Sequence, residues 1–192
     1  VRLEIATDIT ERKEMELALK EAHEKARAAA LEDDLTGLRN RRAFFELGNQ
    51  LLKQSRRNNS PLGIIMFDLD HFKQINDNHG HEAGDEVLRA IGNLVRRNVR
   101  EADIAARIGG EEFAILLADA HAAEASEMAE RLLWLMQGMP VQYRDVRLLP
   151  AASFGISELH PEEPDLKNLL ARADNAMYES KAFGRGRVRI KP

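Results

Sequence analysis

The chain has 192 residues, 44% of them hydrophobic, and a formal net charge of -4, enough to bury one good-sized core with an appendage beside it. It lacks the basic excess that marks a duplex nucleic-acid surface, so no DNA or RNA partner is expected. The absence of cysteine excludes disulfides and thiolate metal sites, and no apolar run approaches the roughly 20 residues that span a bilayer.

Residues 1–32 differ in composition from the rest. The stretch "VRLEIATDIT" reads as a short strand ending in an Asp/Thr cap, and "ERKEMELALKEAHEKARAAALE" is rich in strong helix formers. Met15, Leu19, Ala22, Ala26 and Ala29 follow a 4-3-4-3 spacing. That spacing suits the seam of a coiled coil between two copies of the chain, with a solvated amphipathic linker as the plainer alternative. Residues 33–192 form a second unit of alternating strands and helices. The pattern predicts a helix over 41–58, a strand over 62–69, a helix over 84–99, hairpin strands near 104–108 and 113–117, and a helix over 122–137. Strands near 141–148 and 151–157, a helix over 166–183 and a closing strand over 187–190 follow. This order predicts an α+β fold, a mostly antiparallel five-stranded sheet with a ferredoxin-like βαββαβ core, its helices on one face.

The apolar run "LGIIMF" ends in Asp68, Leu69 and Asp70. Side chains two apart in a strand share a face, so Asp68 and Asp70 point the same way if the strand persists; solvating a strand end is the plainer role. Downstream, Gly109-Gly110 suits a two-residue hairpin turn with positive φ, and a hairpin beside the first strand brings Glu111 and Glu112 next to Asp68. Such carboxylates need a counter-cation in a partly buried cleft, and oxygen-only ligands point to Mg²⁺ or Mn²⁺, with substrate phosphates and water completing the shell. Asn76 and Asp85, on either side of a predicted loop, offer an amide and a carboxylate to a base edge, and a carboxylate matches the paired donors of guanine. Asp85 equally suits a helix N-cap, which spacing alone favours. His79 and His81 lack a third soft ligand and read as loop polarity. Lys73, Lys181 and Arg185 suit phosphate contacts, or simple surface charge near helix ends.

Four stretches, "DDLTGLRNRR", "FDLDHFKQINDNHGHEAGDEVL", "RIGGEEF" and "ADNAMYESKAFGRGRV", together resemble the diguanylate cyclase (GGDEF) family in its Glu-for-Asp form. The resemblance spans residues 33–190. It implies a fold like the palm of nucleotide cyclases and polymerases, and condensation of two GTP into cyclic di-GMP with loss of two pyrophosphates, one GTP per subunit of a homodimer. It also implies two Mg²⁺ or Mn²⁺ per site held by Asp68, Glu112 and the Leu69 carbonyl, with Glu111 as a further catalytic acid. It makes Asn76, Asp85 and Leu88 guanine contacts, Phe72, His81, Gly109 and Gly110 further parts of the substrate site, and Lys73, Lys181 and Arg185 triphosphate contacts. The family often has Asn where Gly186 stands here.

In "READIAARIGGEEF", Arg100 and Asp103 resemble the family's inhibitory product-binding motif, with Arg131 as an accessory; an i,i+3 salt bridge is the alternative. "DITERKEMELAL" resembles the exit of a sensory PAS domain. The resemblance implies a bacterial cytoplasmic location, with membrane attachment only through parts outside this sequence. A catalytically silent module that binds GTP or cyclic di-GMP is the competing reading, and another nucleotidyl cyclase or polymerase-like transferase a weaker third.

Overall fold

The computed structural model describes residues 31–191 together with Lys13 and Met15. The predicted exit strand and seam helix of residues 1–30 therefore lie outside the described residues, those two positions apart. Contacts divide the chain into two units, Val1–Glu32 and Asp33–Pro192, and the second contains every described strand. Among the described residues no helix is long and apolar enough to cross a membrane.

In chain order the second unit runs β1 (Arg39–Asn40), α1 (Arg41–Asn58), β2 (Leu62–Leu69), α2 (Phe72–His79), α3 (His81–Asn98), β3 (Ile104–Arg107) and β4 (Glu112–Ala118). There follow α4 (Ala122–Gln137), β5 (Val141–Tyr143), β6 (Val146–Leu148), β7 (Ala152–Glu158), α5 (Leu166–Ala182) and β8 (Val188–Ile190). Asn40 caps α1 by accepting the Ala43 N–H at 3.0 Å. The main sheet has six strands in the order β1-β3-β4-β2-β7-β8, one more than expected, because the two residues of β1 pair parallel with β3 at the edge. The expected strand over 141–148 is instead a separate hairpin, β5 with β6, broken by Arg144 at φ 50°.

Every residue of β2 is buried, and this corrects the expectation of helices on one face. Leu62, Ile64 and Met66 face a core built with Phe44 and Leu52 of α1 and Leu166, Leu169 and Met177 of α5. The alternate residues Ile65, Phe67 and Leu69 face a core built with Val87 and Ile91 of α3 and Met128 and Leu132 of α4. A strand apolar on both faces needs cover on both. At the carboxyl end of β2 the Phe67 ring stacks on Phe113 and Phe154, its cross-strand neighbours, with 4.9 Å between centroids in each pair. This ladder of rings fixes the register of the three central strands beside Asp68.

Candidate active site

That register decides the site. Asp68 is the cross-strand partner of Glu112, and the Leu69 N–H donates to the Glu111 carbonyl at 3.2 Å, so the β2 end lies against the mouth of the hairpin as expected. Asp68 is 6% exposed, and its Oδ1 lies 2.8 Å from Lys181 Nζ. Burial pushes the Asp68 carboxyl up; the Lys181 hydrogen bond and charge oppose the rise, Asp70 and Asp174 add to it, and the net direction is upward. Glu111 is also raised, first by burial, then by the charges of Asp68 and Glu112, with Lys181 opposing. Three carboxylates thus influence one corner of the sheet, with the Lys181 ammonium set against them.

Among the described residues no group of three or more His, Cys, Asp or Glu side chains is arranged to hold a metal ion by itself. The side chains fit a hard ion in a more open way. Two carboxylates in register, Asp68 and Glu112, beside the Leu69 main chain match a Mg²⁺-type site, where one or two carboxylates suffice and water and phosphate supply the rest. Two acids raised by burial and repulsion are the groups whose charge such an ion relieves.

Asp70 does not join the cluster. The strand ends at Leu69, and the Asp70 carboxylate turns into the protein, accepting from Ser153 Oγ at 2.8 Å and from the Gly186 N–H at 3.0 Å.

Asn76 and Asp85, the expected guanine contacts, do not flank a loop: Asn76 lies in α2, a helix absent from the sequence expectation, and Asp85 within α3. The two helices meet at Gly80, whose φ of +85° breaks them apart. Helix α3 begins at His81, so Asp85 sits more than a turn inside it and is not its N-cap. Phe72 and Leu88 are buried, at 6% and 2% exposed. Asn76 Oδ1 is buried without a hydrogen-bond partner, and a Cβ on Gly84 would lie 2.0 Å from it. A buried amide oxygen without a partner is rare, and Asp85, the residue after Gly84, is half-buried. Lys73 and His81 are exposed on the same two helices.

The hairpin turn also differs from expectation. Neither Gly109 nor Gly110 has positive φ, and the turn is not a two-residue primed one. Strand pairing stops at Arg107 with Phe113, and the Ile108 and Gly109 N–H groups both donate to the Glu112 carbonyl, at 2.9 and 3.3 Å. A Cβ at Gly109 would lie 2.1 Å from Glu112 Oε2, the movable end of that side chain, so a side chain there would displace the Glu112 carboxylate. Gly110 has no atom near its missing Cβ, so its bareness leaves the backbone open to a ligand.

Two residues in this corner carried no role in the sequence reading. Arg107 donates from Nε and Nη2 to the Gly110 carbonyl, at 3.1 and 2.8 Å, and from Nη1 to the Asp33 carboxylate at 3.2 Å. Asp33 Oδ1 also accepts from the Thr36 N–H and hydroxyl, at 2.9 and 2.7 Å. The Asp-x-x-Thr spacing in "DDLTG" was the available signal, since it suits a local side-chain turn. Burial raises the Asp33 carboxyl, but the Thr36 bonds and then Arg107 outweigh it, and the net shift is downward. A depressed carboxyl stabilises the fold above its unfolded value, and that stability is lost as pH falls through the folded one. Asp33→Asn therefore lowers the thermal midpoint at pH 7, and the deficit shrinks as pH falls below the ordinary 3.8; a deficit independent of pH rules this out.

Lys181 is held on Asp68, and Arg185 is half exposed with Nε 4.0 Å from Asp70 Oδ1. Gly186 has φ +57°, a region that glycine and asparagine both tolerate, so its presence in place of Asn leaves the loop's shape intact.

Elsewhere, a surface cavity of about 170 Å³ is lined by Arg100, Asp103, Arg131, Asn98, Glu124 and Glu127 among others. The Asp103 carboxylate accepts main-chain N–H groups, Arg100 at 2.9 Å and Ala118 at 3.3 Å, and Arg131 donates to the Asn98 carbonyl at 3.3 Å. The i,i+3 side-chain salt bridge is not the partnership Asp103 makes.

The sequence model of the family described as "Diguanylate cyclase, GGDEF domain" matches residues 30–187. The chain belongs to this family. It is 38% identical over 161 residues to the response regulator PleD of Caulobacter vibrioides, covering 83% of this chain and 36% of that one. It is 38% identical over 167 residues to the diguanylate cyclase DgcP of Pseudomonas aeruginosa, covering 87% and 25%. The chain thus spans about a third or less of the length of these curated relatives. Its structure superposes on the coiled coil and GGDEF domain of DgcB from Caulobacter crescentus, solved in complex with c-di-GMP. That match has a TM-score of 0.91 at 28% identity and covers 97% of this chain and 99% of that one. Cyclases with a GGDEF domain are generally metal-dependent, which accords with the oxygen donors at Asp68 and Glu112.

Proposed function

We propose that this GGDEF domain condenses two GTP into cyclic di-GMP, one GTP bound by each subunit of a homodimer. The observation that carries the reading is the register of Asp68 with Glu112, with Glu111 and Lys181 at the same corner. In each half-reaction a 3′-oxygen forms a bond to the partner nucleotide's α-phosphorus, the bond to the bridging oxygen breaks, and pyrophosphate leaves. Asp68, Glu112 and the Leu69 carbonyl would hold Mg²⁺ or Mn²⁺, two per site, which supplies charge neutralisation for the nucleophile and leaving group. The protein's own parts do the rest. Asn76 and Asp85 orient guanine, supported by the orphaned Asn76 oxygen, with Phe72, Leu88 and His81 beside them. Lys73, Lys181 and Arg185 take the triphosphate, and Gly109-Gly110 gives it backbone access. Glu111, whose carboxyl is pushed upward by burial and by the Asp68 charge, would accept the 3′-hydroxyl proton.

Purified protein incubated with GTP and either Mg²⁺ or Mn²⁺ is expected to yield cyclic di-GMP by chromatography. A sample dimerised by a fused zipper separates lack of pairing from lack of chemistry. No product from that forced dimer turns the reading to a silent GTP- or cyclic di-GMP-binding module.

The cavity at Arg100, Asp103 and Arg131 supports product binding away from the reacting carboxylates. Arg100→Ala is expected to raise the product concentration for half-inhibition about tenfold, the loss of one charge-assisted contact. An unchanged inhibition curve makes Arg100 ordinary surface charge.

A further inference from the structure

We infer that Asp70 is a positioning residue that sets Arg185 for the triphosphate by holding the loop after α5; this rests on the phosphate role proposed for Arg185. The loop is locally costly. Gly184, Arg185 and Gly186 have φ of +112°, +58° and +57°, and the left-handed region is unfavourable for Arg185, which has a Cβ. Such a conformation persists only where its surroundings over-determine it. Here they do so at both ends. The Arg185 N–H donates to the Ser180 carbonyl at 3.2 Å, and Ser180 Oγ donates to the Arg187 carbonyl at 2.8 Å.

The remaining anchor reaches across from the sheet. The Asp70 side chain is 2% exposed, and its Oδ2 accepts the Gly186 N–H at 3.0 Å. Its Oδ1 is fixed by the hydroxyl of Ser153, itself fully buried, at 2.8 Å, with Arg185 Nε 4.0 Å away. The Asp70 N–H donates to the Ala151 carbonyl at 2.8 Å, so the anchor is itself tied to the sheet. The two acids of "DLD" thus divide their work across one segment. Asp68 binds the Lys181 side chain at the reacting corner, while Asp70 binds the backbone that aims Arg185.

A role acting through Arg185 reads out on phosphates and not on the base. With a non-hydrolysable GTP analogue and with guanosine as probes, Asp70→Ala is expected to weaken the analogue about tenfold and to leave guanosine affinity as it was. Asp70→Asn keeps an acceptor for Gly186 and offers an amide N–H to the Ser153 hydroxyl in place of the acceptor that Asp70 presents, and restores most of that loss. In an Arg185→Ala background, Asp70→Ala costs little further, because both act through one contact. Equal loss for both probes, or full additivity with Arg185→Ala, overturns the inference. Should Asp70→Ala fail to fold by circular dichroism, Ser153→Ala carries the same test with a smaller shift in the same direction, and an unchanged analogue affinity overturns it. Binding is measured without turnover, so a protein that makes no cyclic di-GMP yet shows this pattern retains the inference and loses only the cyclase reading.

Discussion

On the proposed cyclase reading, Glu112→Gln is expected to lower cyclic di-GMP formation by on the order of 10³-fold, since about 4 kcal/mol of transition-state charge stabilisation would go with one carboxylate of the proposed metal site. The fold survives the change, because the turn is closed by the Glu112 main-chain carbonyl, which accepts from Ile108 and Gly109. Stability without metal moves the other way. Asp68 and Glu111 are raised above their ordinary 3.8 and 4.5, so the stability they have below those values is lost as pH rises through the folded ones. Glu112 is one of the charges that raise Glu111. In a chelator at pH 7 the Gln variant therefore melts at or above the wild type, and Mg²⁺ raises the wild-type midpoint more than the variant's. A variant that keeps its product yield removes Glu112 from the proposed metal site.

The parts of this site legible in the sequence are those that depend on strand pairing. "LGIIMF" announces a buried strand, "RIGGEEF" a hairpin, and their adjacency puts Asp68 beside Glu112. What was hidden depends on features too short or too polar to carry a period. Helix α2, "FKQINDNH", has one buried residue, Phe72, and reads as loop from its Asn, Asp and His content. Its separation from α3 rests on the single positive φ of Gly80. Without a sequence signal for that helix, the predicted start of the next one falls next to Asp85, and an Asp there resembles a cap. The two residues of β1 are beneath any pattern. Placement of helices on both faces was implicit in the unbroken apolar run of β2, which lacks the alternation of a half-exposed strand. The Asp33–Arg107–Gly110 connection joins residues far apart in the chain, and its long-range half leaves no local signal.

Gly155→Ala is expected to destabilise the fold by about 3 kcal/mol, the upper range for overpacking a dense interior. A Cβ at Gly155 would lie 2.1 Å from the Ala173 carbonyl oxygen and 2.2 Å from the Met177 nitrogen. Both are backbone atoms of α5, so no side chain can swing aside, and the helix itself must move off β7. Helix α5 carries Lys181, which sits 2.8 Å from Asp68, and leads into the loop that bears Arg185. Activity should consequently fall further than the loss of folded protein accounts for, measured by urea unfolding alongside turnover at a fixed folded fraction. Gly110→Ala is the matched contrast. Its Cβ meets nothing within 4 Å and its φ is not positive, so its unfolding midpoint stays near wild type while GTP affinity drops if the nucleotide lies against that backbone. Equal destabilisation by the two substitutions contradicts the close packing of α5 on Gly155. Equal GTP affinity in wild type and Gly110→Ala moves the nucleotide off the turn.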